Sequence, residues 1–233
     1  MAAPPPVAPQ GLPSRILTGS VAPVVQEMMS TFPDALVISS GIFALLTLSM
    51  PFAVMFGSLV EATLIFHALR YAASYLNMGK TGVIRPDPRC RTGFLGTTLS
   101  SLFTFGLQHQ QHVFPSAPIF MLSTASAYVF GTLNTMSKEL QALGPTYASR
   151  FYVSVFFLIL LLFAFVAFRL LYGCESLGIL VLTMPVGLIL GTVLVQQNIR
   201  LFGENSINLL GIPILRNRAA DGKKLYVCAT QKS

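Results

Sequence analysis

The chain has 233 residues, a formal charge of +7, 53% hydrophobic residues, only 10% charged residues and a mean hydropathy of +0.68. Soluble domains carry roughly 25% charged residues, so charge is too scarce here to coat a water-facing surface. That excludes a typical soluble enzyme, a disordered chain and a coiled coil, and indicates an all-α protein whose solvent is mostly lipid.

In chain order, residues 1–33 read as an extended, Pro-rich N-terminal arm opening on MAAPPPVAPQ. The arm has neither the basic start nor the early apolar stretch of a signal peptide, and Ala2 excludes myristoylation. A helical transmembrane domain is expected over 34–197. Its first apolar run, 35–59, holds 25 uncharged residues and at ~1.5 Å per residue is long enough to span. Pro51 is expected to kink it, because proline removes a donor and crowds the carbonyl four residues earlier. Residues 78–92 form a basic loop with Lys80, Arg85, Arg89 and Arg91. The run 93–112 is ambiguous: it crosses the membrane, or it enters and returns. Runs at 117–135, 151–172 and 177–197 read as spans. Only four residues, Gly173 to Ser176, separate the last two, so these form an antiparallel hairpin. Pro185 is a second expected kink. A basic tail, 198–233, follows.

Charge decides between five spans and the alternative of four. Five spans gather thirteen Lys and Arg on one side (Arg70, Lys80, Arg85, Arg89, Arg91, Lys138, Arg150 and six in the tail), leaving Arg15 and Arg169 on the other. Four spans divide them nine to six. The positive-inside rule favours five, with the C-terminus cytoplasmic. The basic balance is therefore read as a topology signal facing lipid headgroups rather than as a nucleic-acid surface. Tyr71, Tyr75, Tyr147, Tyr152 and Tyr172 lie near span ends and suit an interfacial belt. Cys90, Cys174 and Cys228 are odd in number and far apart, which reads as three reduced thiols rather than a disulfide framework.

Motifs for chemistry are sparse. His109 and His112 share a helix face, but no Cys, Asp or Glu lies nearby in sequence to complete a metal site. Glu61, His67 and Arg70 lie just past the first run, at the expected interface, where Glu61 is paired locally. An ionisable residue inside the membrane would instead mark a proton or ion path. No GxSxG, HExxH, P-loop or GxGxxG occurs. The expectation is no catalytic residue, no cofactor and no metal.

Packing signals are clearer. Ser123, Ala127, Gly131 and Thr135 repeat every four residues, and Gly187 and Gly191 form a GxxxG. Lipid supplies no hydrophobic drive between helices, so such small faces let backbones approach closely, within this chain or against another subunit.

The tail contains Ser206-Ile207-Asn208-Leu209-Leu210-Gly211-Ile212-Pro213-Ile214-Leu215, and then a turn-prone basic stretch with Arg216, Arg218, Lys223 and Lys224. Leu225 to Cys228 reads as a short β-like element, with Asp221-Gly222 in a hairpin. Either the tail docks a partner, or it lies as a disordered basic tail on lipid headgroups. The 206–215 run, followed by Gly222-Lys223-Lys224-Leu225-Tyr226-Val227-Cys228, resembles the end of small multipass membrane proteins of large icosahedral double-stranded DNA viruses. That resemblance implies a minor capsid or virion membrane protein of the internal membrane, contacting the capsid from beneath. It carries over no catalytic or binding residue.

The expected function is a non-enzymatic, multipass scaffold that anchors an assembly. Its partners are the lipid bilayer and other membrane or capsid subunits, as a homo- or hetero-oligomer, without nucleic acid. The basic residues of 78–92 and the tail contact headgroups or partners. The alternatives are a small ion channel or transporter using Glu61, His109 and His112, and an accessory subunit of a respiratory-type complex.

Overall fold

The structure is a computed structural model that describes residues 22–76, residue 90, residues 114–142 and residues 145–210. Among them are five long α-helices, one short helix and a 3-10 turn, with no strand. The helices are α1 (Ala22–Thr47), α2 (Met50–Tyr75), α3 (Ala117–Thr135), α4 (Ser137–Ala142), α5 (Pro145–Leu171) and α6 (Leu177–Phe202). The turn is Glu204–Ile207.

The run 35–59 is not one kinked span. The chain reverses at Leu48 and Ser49, and α1 and α2 pack against each other as a hairpin. Leu48 takes a left-handed φ of 46°, and Ser49 caps α2 in an extended conformation. Pro51 falls in the first turn of α2, where its missing N–H would have no helical partner. Ser-Met-Pro is thus a helix start, which corrects the expected kink. The rings of Phe43 and Phe52 stack at 5.7 Å, and Gly41 faces Phe56. The arm is corrected too: residues 22–33 are helical, since α1 begins at Ala22. Most prolines of the arm precede that point, and Pro23 again lies in a first turn.

Helix α3 coincides with the predicted run 117–135. It is the core of the bundle, with twelve of its nineteen residues buried. α6 runs parallel to it, since Gly187 lies by Phe120 and Ser123, Gly191 by Thr124 and Ala127, and Val195 by Gly131. α2 is antiparallel to both. Phe66 meets Phe120 at one level, and Ser58 meets Tyr128 and Asn198 through hydrogen bonds at another. α5 descends antiparallel to α3, packing Phe151 near Tyr128 and Met136 and placing Phe165 with Ile119, Leu122 and Leu180. The α5–α6 hairpin turns over Tyr172–Ser176, with Gly173 at φ +61°.

Among the described residues, three helices are long and apolar enough to cross a membrane: Met50–Tyr75, Ser149–Leu171 and Leu177–Phe202. Their lengths and the exposure of Phe156, Phe157, Ile159, Leu160 and Phe163 along α5 are those of an integral membrane protein. Asp34–Thr47 of α1 is a shorter apolar helix. Pro185 lies inside α6, which continues through it as one helix.

These directions define two ends. The first end carries the start of α1, the end of α2, the start of α3 and the α5–α6 turn. The second carries the Leu48–Ser49 turn, α4, the start of α5 and the end of α6. The run 93–112 lies outside the described residues, but its flanks do not. Cys90 is bonded at the α5–α6 turn, and Ser116 N–H donates to Thr183 Oγ1 in the first half of α6. Both flanks therefore belong to the first end.

Candidate functional site

Polar side chains gather at two places in this apolar bundle. The first is interior. Asn198 on α6 donates from Nδ2 to Ser58 Oγ on α2 at 2.7 Å and to Tyr128 Oη on α3 at 3.0 Å. The Ser58 hydroxyl donates onward to the Val54 carbonyl at 2.9 Å. Ser206, in the 3-10 turn, donates to the Asn198 carbonyl at 3.4 Å and to that of Gly203 at 2.7 Å. Ala62, Leu194, Val195 and Ile207 enclose the group, each at most 2% exposed. Asn198 thus ties three helices through its side-chain amide and the root of the tail through its backbone carbonyl, where lipid would offer no replacement partner.

One turn further along α2, Gln197 Nε2 donates to both carboxylate oxygens of Glu61, at 3.2 and 3.1 Å. Glu61 is therefore neither past the span nor paired locally. With α2 starting at Met50, it sits near the middle of a membrane-length helix and bonds a residue 136 positions away. Expecting the helix to begin at Ala35 displaced it to an edge. His67 and Arg70 follow on the same helix toward the first end.

The second polar centre is at the first end. Cys90 and Cys174 form a disulfide that closes 84 residues of sequence separation. This corrects the expectation of three reduced thiols: spacing along the chain carried no information about proximity, which the α5–α6 turn creates. Arg169, read as the one charge near the end of its span, is 6% exposed. Its Nη2 pairs with Glu175 Oε1 at 2.6 Å, and its Nη1 donates to the Cys90 carbonyl at 3.2 Å. A buried guanidinium needs such a partner, because desolvating it alone is costly. Among the described residues, Arg169 Nε and Glu175 Oε2 have no hydrogen-bond partner.

The small-residue face lies between the two centres. A Cβ at Gly187 would collide with the Ser123 side chain and sit 2.8 Å from the Phe120 carbonyl oxygen. One at Gly191 would collide with the Thr124 carbonyl and sit 2.8 Å from Ala127 Cβ. At Gly131 the neighbour is Val195, at 3.1 Å. Ser123, Ala127, Gly131, Gly187 and Gly191 thus meet along one seam between α3 and α6. Thr135 does not join it; it is exposed and its hydroxyl bonds the Gly131 carbonyl.

Lys80, Arg85, Arg89, Arg91, His109, His112, Arg216, Arg218, Lys223, Lys224 and the β-like Leu225–Cys228 lie outside the described residues. The tail assigned from 198 begins differently from expectation: α6 continues to Phe202, and Ser206, Ile207 and Asn208 are buried against the bundle. Among the described residues no group of three or more His, Cys, Asp or Glu is placed to hold a metal ion. No protein-family model, no curated protein and no solved structure matches the chain.

Proposed function

We propose that the chain is a non-enzymatic membrane scaffold that anchors an assembly to a bilayer. In its specific form, it links an internal virion membrane to the capsid above it. The observation that carries this reading is the α3–α6 seam. Two helices are interlocked at glycine contacts that admit no Cβ, and the interior polar groups beside them bond one another across α2, α3 and α6. A core filled in this way holds its ends in fixed relation, as an anchor requires. The tail root is part of it through Ile207, which is fully buried, so whatever the tail meets is referred to the bundle. The virion form rests further on the resemblance of the 206–215 and 222–228 runs.

The sidedness belongs to the same proposal. Disulfides persist in oxidising compartments, which assigns the Cys90–Cys174 end to such a compartment. The opposite end, with Lys138, Arg150 and the tail, then faces the cytoplasm. The transporter reading has one observation in its favour, the mid-helix Glu61.

The test is gentle purification from the native membrane, followed by mass spectrometry of what stays attached. Capsid or coat proteins in fixed ratio are expected. Recovery alone, with ion flux in liposomes that Glu61→Gln abolishes, would overturn the scaffold in favour of a transporter. Recovery with redox subunits would favour the accessory-subunit reading.

A further inference from the structure

We propose that the outer face of α6, at the second end of the bundle, binds the headgroup of an anionic phospholipid. This inference rests on membrane insertion alone and not on the scaffold reading. A groove of about 510 Å³ lies there, lined by Thr192, Val193, Gln196, Gln197, Arg200 and Leu201. Positions four apart share a helix face, so Thr192, Gln196 and Arg200 form a polar row. All three are exposed, on a helix whose other outward residues are apolar: Val181, Leu182, Ile189 and Val193. The Thr192 hydroxyl is satisfied by the Leu188 carbonyl at 2.9 Å. Gln197 is held by Glu61. Gln196 and Arg200 donate to no group among the described residues, and there Arg200 has no acidic partner.

A cation and an amide facing lipid at the end of a spanning helix need an acceptor at headgroup depth. Charge complementarity commits the occupant. A phosphodiester carries one negative charge and acceptor oxygens that a guanidinium meets bidentately, and only in an anionic lipid is that charge not cancelled by a cation of the same headgroup. Gln196, one turn away, offers a further donor. Val193 and Ile189, both exposed and one to two turns deeper, supply an apolar lane for an acyl chain. A free phosphate would use the polar row but not that lane.

The full-length protein in detergent micelles, mixed with phosphatidylglycerol or phosphatidylcholine and followed by native mass spectrometry, tests this. Phosphatidylglycerol should be retained about tenfold better than phosphatidylcholine, whose choline cation offsets the phosphate charge that Arg200 meets. Arg200→Gln should reduce its retention about tenfold, while Arg200→Lys keeps part of it. Both variants should melt at the wild-type temperature, since Arg200 is exposed and packs no core. Equal retention of the two lipids, or unchanged phosphatidylglycerol retention in Arg200→Gln, would overturn the proposal. Displacement of the lipid by millimolar inorganic phosphate would overturn the lipid as occupant, leaving a phosphate site.

Discussion

Replacing Gly191 by alanine sets two effects of opposite sign against each other. In a helix interior the change gains about 1 kcal/mol, because alanine loses less backbone freedom than glycine. At Gly191 the added Cβ meets the Thr124 carbonyl and stands 2.8 Å from Ala127 Cβ. Neither obstacle is the far end of a flexible side chain, so α3 and α6 must separate. Overpacking of this kind costs about 1–3 kcal/mol, and a backbone obstacle places it toward the upper figure. The net expectation is a loss of about 1–2 kcal/mol. Gly57→Ala in α2 is the control, since nothing lies within 4 Å of its new Cβ. It keeps the propensity gain, about 1 kcal/mol of stabilisation. The two alanines should therefore differ by about 2–3 kcal/mol, with opposite signs relative to wild type. Reversible unfolding in mixed micelles, titrated with a denaturing detergent and followed by circular dichroism, measures this. If Gly191→Ala proves as stable as Gly57→Ala, the seam is not the close contact described and the argument from it fails.

Asn198→Leu should cost about 1–3 kcal/mol, because Ser58 and Tyr128 lose their shared donor in a buried site; Ser58→Ala alone should cost less, which the same unfolding titration compares. Arg169→Leu should destabilise by about 3–5 kcal/mol by stranding Glu175, while the double variant Arg169→Leu/Glu175→Leu should recover most of the loss. Equal losses in the single and double variants would refute the pairing. A maleimide–polyethylene glycol reagent applied to sealed native vesicles should leave Cys90 and Cys174 unmodified until reductant is added. Modification of both without reductant would remove the disulfide and the sidedness built on it.

Several features were legible because they depend on local composition. Lipid as solvent followed from the shortage of charge, and α3 occupies the run read as 117–135. The same sequence did not reveal that α3 is enclosed by other helices. Its hydroxyls and small residues, Ser123, Thr124, Ser126 and Thr132, are all buried, and they suit a protein-facing helix better than a lipid-facing one. The Leu48 reversal was partly readable. Ser49 and Pro51 form a start signal, yet an uncharged run of membrane length conceals a hairpin, because both arms of the hairpin are apolar. Glu61 was misplaced as a direct consequence. Its partner Gln197 is 136 residues away, and no local pattern encodes that pairing. The Cys90–Cys174 bond is of the same kind, a product of where helices end.

Sidedness shows how one local error spreads. The five-span reading gathers thirteen basic residues on one side only if the chain crosses between Arg91 and Phe114. Cys90 and Ser116 both sit at the first end, and the four of those thirteen that are described are divided between the ends. Arg70 belongs to the first end, while Lys138, Arg150 and Arg200 belong to the second. With cations at both ends, the positive-inside rule loses the asymmetry it needs. A covalent bond that forms in only one redox environment is then the stronger guide. Under the sidedness proposed above, it sends the end of α6 to the side to which the charge count sent the tail, but for an independent reason. Under that proposal Arg70, near the end of α2, and Arg200, near the end of α6, face opposite sides of the bilayer. On the scaffold reading proposed above, cations at both ends give each face of the membrane its own contact for a partner.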